Sequence, residues 1–245
     1  MAALLKGLLR AMVLLVLVLV TGCFQYDLDI QFDSQTHGQI VQHLQWTATA
    51  AVSPTQLRTW REALVAQVKT VGGQVQWADG MTVTVTVPFN NGAELEQRFN
   101  QLFDNSMAGS GLALPSGEAV AATLALTQGN WIFAIRNHLM LTLDLTAIPT
   151  GERLGAPILQ GVELLTGKVH LTTPWGLHRT VSDDAVPQSS MGDFANQWNL
   201  HPGQVNQVEA DFWIPSPIGI GAAVIALLMG LGYGLRYRFR VGLDR

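Results

Sequence analysis

The sequence contains a single cysteine, Cys23, which excludes a disulfide bond within the folded chain. Basic side chains are also scarce, because residues 24–217 hold 17 acidic and 8 basic residues, a net charge of −9. A surface this acidic is unsuited to nucleic acid, since phosphate contacts need lysine and arginine. The fold must therefore be held by its hydrophobic core, and we expect no nucleic-acid partner.

Motifs for catalysis and metal binding are missing as well. The sequence "AGSG" at 108–111 lacks the full G-x-S-x-G pattern of a serine hydrolase. Asp27 and Asp29 alternate with apolar residues, which predicts the solvent face of a strand rather than a catalytic pair. Neither an HExxH pair nor zinc-knuckle spacing occurs among the histidines, which we interpret as polar surface residues: His37, His43, His138, His170, His178 and His201. We expect no enzyme, no metal and no cofactor; an exported enzyme with a non-standard site is the competing class.

The N-terminus has the layout of an export signal. Lys6 and Arg10 precede an uncharged apolar stretch, 11–20, which is shorter than the roughly 20 residues that a spanning helix needs. Residues 20–23, Val-Thr-Gly-Cys, resemble a bacterial lipobox. We interpret residues 1–22 as a lipoprotein-type signal peptide and Cys23 as the lipidation site. The alternative is a retained N-terminal anchor with an incidental cysteine.

The C-terminal region carries a second membrane signal. Residues 218–235 contain no charged side chain and would form about 27 Å of helix, enough to cross a bilayer. Trp213 precedes this segment at the expected membrane interface. Three arginines at the cytoplasmic interface follow it: Arg236, Arg238 and Arg240. The positive-inside rule predicts a cytoplasmic tail, 236–245, and a domain, 23–217, on the opposite, periplasmic or lumenal side of the membrane.

Small residues recur at every fourth position of the predicted membrane helix: Ala222, Ala226, Gly230 and Gly234. Such a stripe lets a second helix approach closely, and Gly230 and Gly234 form a G-x-x-x-G pattern. It predicts packing against a membrane-protein partner or a second copy of the chain. The alternative is that glycine and alanine are simply frequent in membrane helices.

The hydrophobic pattern predicts an α+β domain with two helices packed on one face of an antiparallel sheet. The first helix has Ser53 as N-cap, Gln56 in a capping box, and a stop at Gly72-Gly73. The second spans about 91–104. A hairpin turns at Asp79-Gly80 within 74–88, a turn is expected at Gly129-Asn130, and a long loop at about 181–204. The other predicted strands are 26–32, 39–50, 122–128, 131–135, 139–148, 167–173 and 205–213.

Two further groups of residues are candidates for contact with a ligand or partner. The Gly- and Ser-rich segment 105–118 carries Met107, Leu112 and Leu114 and predicts either a ligand-covering flap or a plain connector. An exposed aromatic patch for a partner is a second option, with three candidates: Trp131, Trp175 and Trp198. For Trp131 we favour core packing.

Four segments resemble a known family: "FDSQTHGQIVQ" (32–42), "GNWIFAIRNHLMLTLDL" (129–145), "TTPWG" (172–176) and "NQVEADFWIPSPIGIGA" (206–222). The family comprises cyanobacterial and chloroplast membrane proteins and is distantly similar to the mycobacterial lipoprotein LppM. The resemblance implies an α+β fold in a plasma or thylakoid membrane, with a hydrophobic patch or groove for lipid or glycolipid. No ligand residues or catalytic motif can be transferred. We expect a non-enzymatic domain that binds a lipid or a membrane-protein partner, or an assembly or scaffold factor acting through its membrane helix.

Overall fold

A computed structural model describes residues 24–46, 53–104, 112–113, 119–148, 165–181 and 195–241. The predicted lipidation site, Cys23, and two flap residues, Met107 and Leu114, lie outside these residues. Leu112 belongs to a two-residue strand, and Arg236, Arg238 and Arg240 belong to the last helix; their side chains lie outside the described part.

The first sheet has six strands: β1 (Phe24–Ser34), β2 (His37–Trp46), β3 (Gln74–Trp77), β4 (Thr82–Phe89), β8 (Leu165–Thr172) and β10 (Ala195–Leu200). Their order across the sheet is β10-β8-β1-β2-β4-β3. The central strands β1 and β8 are parallel, although about 130 residues separate them along the chain, whereas the other neighbours are antiparallel.

The second sheet has five strands: β5 (Leu112–Ala113), β6 (Ala119–Asn130), β7 (Ala134–Asp144), β9 (Leu177–Val181) and β11 (Val205–Pro215). Their order across the sheet is β5-β6-β7-β11-β9, and neighbouring strands are antiparallel. The predicted α+β class is therefore confirmed, but the strands form two sheets instead of one, and one of the two is mixed. A parallel pair with so long a connection leaves no local pattern in the sequence.

Helix α1 (Pro54–Thr70) starts as predicted. Ser53 accepts a hydrogen bond from the Gln56 amide at 3.3 Å, and the Gln56 side chain accepts one from the Ser53 amide at 3.0 Å. The helix ends before Gly72, whose φ of 72° suits glycine. Trp60 of α1 packs edge to face on Trp46 and Trp77, with ring centroids 5.3 and 5.8 Å apart. This cluster attaches α1 to one end of the six-stranded sheet.

Helix α2 (Gly92–Phe103) joins the two sheets, since it contacts both β4 and β6. Asn100 binds the backbone of Leu124 in β6 twice: its amide donates to the carbonyl at 2.9 Å, and its oxygen accepts from the N–H at 2.8 Å. These bonds satisfy an edge of β6 that would otherwise be unpaired. The apolar face of α2 is buried as predicted, with Leu95, Phe99, Leu102 and Phe103 in the core.

The core lies where the inner faces of the two sheets meet. Phe32 of β1 contacts Phe212 of β11 and Phe89 of β4, with ring centroids 5.0 and 5.1 Å apart. Along β1 the burial alternates, so Leu28 and Ile30 are buried while Asp27 and Asp29 lie on the outer face. The predicted solvent face of β1 is therefore confirmed.

Two predicted elements need correction. The segment 181–204 is not one long loop, because it contains β10, a polar edge strand whose Trp198 and Leu200 face the core. The predicted strands 131–135 and 139–148 are one strand, β7, which begins only at Ala134. The hairpin between β6 and β7 consequently turns at residues 131–133, beyond the expected Gly129-Asn130.

Candidate membrane-facing site

The last helix, α3 (Pro217–Val241), follows β11 after one residue. Ser216 caps it, because its hydroxyl accepts from the Gly219 amide at 3.3 Å and its carbonyl accepts from Ile220 at 3.0 Å. Pro217 occupies the first helical position, where its missing N–H costs nothing. The window 217–235 has a mean hydropathy of 2.0, and none of it is buried against the rest of the chain. This helix is long and apolar enough to cross a membrane.

The start of α3 rests directly on the turn between β6 and β7. The Ser216 amide donates to the Phe133 carbonyl at 2.8 Å. Three residues later, Gly219 lies so close to the backbone of Ile132 that a Cβ there would overlap the Ile132 carbonyl. A glycine is therefore required for this backbone-to-backbone approach. The turn and the helix start form one structural unit.

We call Trp131, Ile132 and Phe133 the hairpin tip. Its turn is closed by a hydrogen bond from the Trp131 amide to the Ala134 carbonyl at 2.8 Å. The three residues are 66%, 73% and 52% exposed, and Ile218 beside them in α3 is 81% exposed. Trp131 packs against Trp213, with ring centroids 6.1 Å apart. The tip is thus an exposed apolar surface on an ordered turn.

The exposure of the three candidate tryptophans differs from the prediction made from the sequence. Trp131 is exposed, so core packing is wrong for it, and Trp198 is a buried core residue. Trp175 is half exposed, at 51%, but lies in a separate turn. Sequence reasoning missed Ile132 and Phe133 because they were assigned to a strand. Three consecutive large apolar residues after Gly-Asn do not alternate, and this lack of alternation was the available signal.

The small-residue stripe lies on a surface of α3 that no part of the described chain covers. A Cβ added at Gly230 or Gly234 would meet no atom within 4 Å. Ala222 and Ala226 lie on the same helix face by the helical repeat. The structure thus shows the stripe as an open surface and leaves packing against a partner helix as a prediction.

Two polar side chains lie inside the core. Tyr26 and Gln42 are buried on the inner face of the six-stranded sheet, where Gln42 stands opposite Leu28 and Val85. Neither the Tyr26 hydroxyl nor the Gln42 amide has a hydrogen-bond partner within the described residues. Burial raises the pKa of Tyr26 far above its usual value, so the hydroxyl stays neutral. Unpaired buried polar groups are costly, which makes these two side chains candidates for binding a polar group.

Ionisable residues gather on the outer face of the six-stranded sheet. Asp29 lies 3.8 Å from His43, which also shares a hydrogen bond of 3.1 Å with Thr84. Partial burial raises the pKa of Asp29, while His170 and His43 oppose the rise and Asp27 adds to it. No three His, Cys, Asp or Glu side chains in the described ranges are grouped so that they could hold a metal ion.

A second polar cluster lies on the outer face of the five-stranded sheet, near the hairpin tip. His138 is 2.9 Å from Asp211 and 3.6 Å from Glu209, and Arg136 is 3.5 Å from Asp211. Arg136 stands opposite Trp213 in the β7–β11 register. The cluster resembles a surface ion-pair network, and Asp211 offsets the positive charge of Arg136.

These features define an α+β domain that ends in one apolar helix long enough to cross a membrane. The chain belongs to a family described as "Protein of unknown function (DUF3153)", whose model matches residues 28–240. No curated protein matches it. Among solved structures it is similar to the NMR structure of the folded domain of LppM from Mycobacterium tuberculosis. That similarity has a TM-score of 0.43 at 16% identity, and covers 80% of this chain and 93% of that one. The family description names no activity.

Proposed function

We propose that this chain is a membrane-anchored, non-enzymatic domain that binds a hydrophobic ligand, a lipid, at the bilayer surface. The observation that carries the proposal is the exposure of α3. Its apolar window of 19 residues contacts no core, and exposed apolar surface costs about 25 cal/mol per Å² in water. A bilayer removes this cost, so α3 is the membrane anchor of the folded domain.

The proposed orientation places the domain on the periplasmic or lumenal side. Arg236, Arg238 and Arg240 follow the apolar window, and positive charge after a spanning helix favours the cytoplasmic side. The signal-like N-terminus supports the same arrangement, and acylation of Cys23 would add a second anchor at the other end of the domain. Protease added to vesicles whose periplasmic or lumenal face points outward should digest the domain and leave a C-terminal epitope protected. Loss of the epitope would contradict this orientation.

The lipid ligand is supported by the chemistry of the core. Tyr26 and Gln42 supply a hydroxyl and an amide on the otherwise apolar inner faces of β1 and β2. Such a pair suits the carbonyl or hydroxyl of a bound lipid, whose acyl part would lie among the surrounding aliphatic side chains. The ligand would then contribute the hydrogen bonds that these two groups lack within the described chain.

Gentle detergent extraction of the tagged full chain, followed by mass spectrometry of lipids and proteins, tests the proposal. We expect a lipid at near-stoichiometric amounts, reduced several-fold in a Gln42→Met variant of similar volume. Asn199→Met, at an exposed position on the outer face, is the matched control and should retain the lipid. A preparation with no enriched lipid would refute the lipid-binding function.

A second candidate function is assembly of a membrane complex through α3. The observation that favours it is the uncovered stripe, in which Gly230 and Gly234 have open space around them. Leucine at both positions should separate the chain from a partner without unfolding the domain. Gly232→Leu is a matched control, because residue 232 lies about 200° around the helix and also has open space. Complexes on native gels that survive the double substitution would exclude this interface.

A further inference from the structure

The hairpin tip exposes three large apolar side chains at the surface of the folded domain. It lies on an ordered turn of the folded domain, and its residues are among the most exposed apolar side chains outside α3. The contact between Trp131 and Trp213 holds one tip side chain in place. Because exposure of apolar side chains to water is unfavourable, the tip is suited to an apolar environment outside the domain.

Backbone contacts fix the height of the tip relative to α3. The Phe133 carbonyl accepts a hydrogen bond from the Ser216 amide, and Gly219 packs against the backbone of Ile132. Ser216 and Gly219 bracket the point where the apolar window of α3 begins, at residue 217. The tip therefore lies level with the first turn of α3, in which Ile218 is also exposed.

The position of the tip indicates a bilayer as its occupant. The tip contacts the first turn of the helix that would span the membrane, and tryptophan prefers the interface between headgroups and acyl chains. Charge does not favour the same contact, since residues 24–217 carry a net −9 and Asp211 offsets Arg136 beside the tip. Attachment to a lipid surface must therefore come from apolar insertion.

We propose that the hairpin tip inserts into the interfacial region of the same bilayer that α3 spans, and so fixes the orientation of the domain on the membrane. The inference rests on the proposed function, because it requires α3 to cross the bilayer. The tip and the helix start together form a two-point attachment. A domain held this way keeps one end of both β7 and β11 at the membrane surface.

The test uses the full chain in phosphatidylcholine nanodiscs, with an environment-sensitive fluorophore on single cysteines in a Cys23→Ser background. Ile132→Cys reports on the tip, and Leu227→Cys reports on α3. Val205→Cys is the control, since it is exposed and lies about 33 Å from the α3 end of β11. We expect iodide to quench the probes at 132 and 227 at least fivefold less than the probe at 205, and spin-labelled lipid to quench both.

The possible outcomes distinguish insertion of the hairpin tip from anchoring by α3. If the probe at 227 is shielded from iodide while the probe at 132 is quenched as strongly as the probe at 205, tip insertion is refuted and the membrane anchor stands. If the probe at 227 is itself open to iodide, the anchor fails, and the inference fails with it. Shielding of both supports insertion. The same shielding in 0.5 M salt, roughly a tenfold increase over low-salt buffer, would confirm that the attachment is apolar rather than ionic.

Discussion

The approach of Gly219 to the hairpin tip gives a prediction with a built-in control. A Cβ at Gly219 would overlap the Ile132 carbonyl, whereas a Cβ at Gly221 would meet nothing within 4 Å. Alanine favours a helix over glycine by about 1 kcal/mol. Gly221→Ala should therefore leave the contact between α3 and the hairpin tip intact. Gly219→Ala gains the same helix propensity but forces α3 and the tip apart.

The size of the effect follows from the contacts that the separation breaks. Overpacking costs about 1–3 kcal/mol. Loss of the hydrogen bond between the Ser216 amide and the Phe133 carbonyl adds about 0.5–1.5 kcal/mol. After subtraction of the helix propensity, the free energy of opening the contact between α3 and the tip should fall by about 0.5–3.5 kcal/mol. That corresponds to a roughly 2- to 300-fold larger equilibrium constant for opening.

Hydrogen exchange of the full chain in nanodiscs measures this opening. In Gly219→Ala, the Ser216 amide should exchange faster by that factor, and amides in the centre of β11 should keep the parent rate. In Gly221→Ala, the Ser216 amide should exchange at the parent rate. Equal exchange at Ser216 in the two variants would refute the close backbone contact between α3 and the tip.

Three further predictions concern the folded domain. Trp60→Ala should lower the free energy of unfolding by about 3–5 kcal/mol because Trp60 is buried between two indoles, while Trp175→Ala should be nearly neutral; urea unfolding followed by circular dichroism compares them. Asp29→Asn should raise the urea midpoint at pH 7. The pKa of Asp29 is raised in the folded state, so protonated Asp29 stabilises the fold below the unfolded-state pKa of about 3.9, and this stabilisation is lost as the pH rises through the folded-state pKa. The advantage of Asp29→Asn over the parent should therefore fade towards pH 3. A difference in midpoint that does not change with pH would contradict this. Gln42→Met in lipid-free protein should stabilise by about 1–3 kcal/mol, because it removes an unpaired buried amide; destabilisation would show that the amide has a partner.

Much of the local structure could be predicted from neighbouring residues alone. The Ser53–Gln56 capping box and the glycine stop fixed α1, and Asp79-Gly80 fixed a hairpin in which Gly80 has a φ of 76°. Val83, Val85 and Val87 alternate with threonines in β4, and all three are buried. These features depend on contacts within a few residues, so the local sequence carries the whole signal.

The edge strand β10 shows where local reasoning failed. Its six residues, "ANQWNL", include two asparagines and a glutamine, a composition typical of a loop. It is a strand because β8 supplies backbone partners and the core accepts Trp198 and Leu200. Both contributions come from residues outside the segment, so no pattern inside it could reveal them.

The acidic balance of the domain, the apolar length of α3 and the small residues along it can all be read from the printed sequence. These are properties of composition and spacing, and they hold whatever the fold. The division of the strands into two sheets, the exposure of Trp131 and the burial of Trp198 depend on long-range contacts. The contact between the tip and the start of α3 is of the same kind, because it joins residues more than 80 positions apart. The pairing of β7 with β11 brings these residues together.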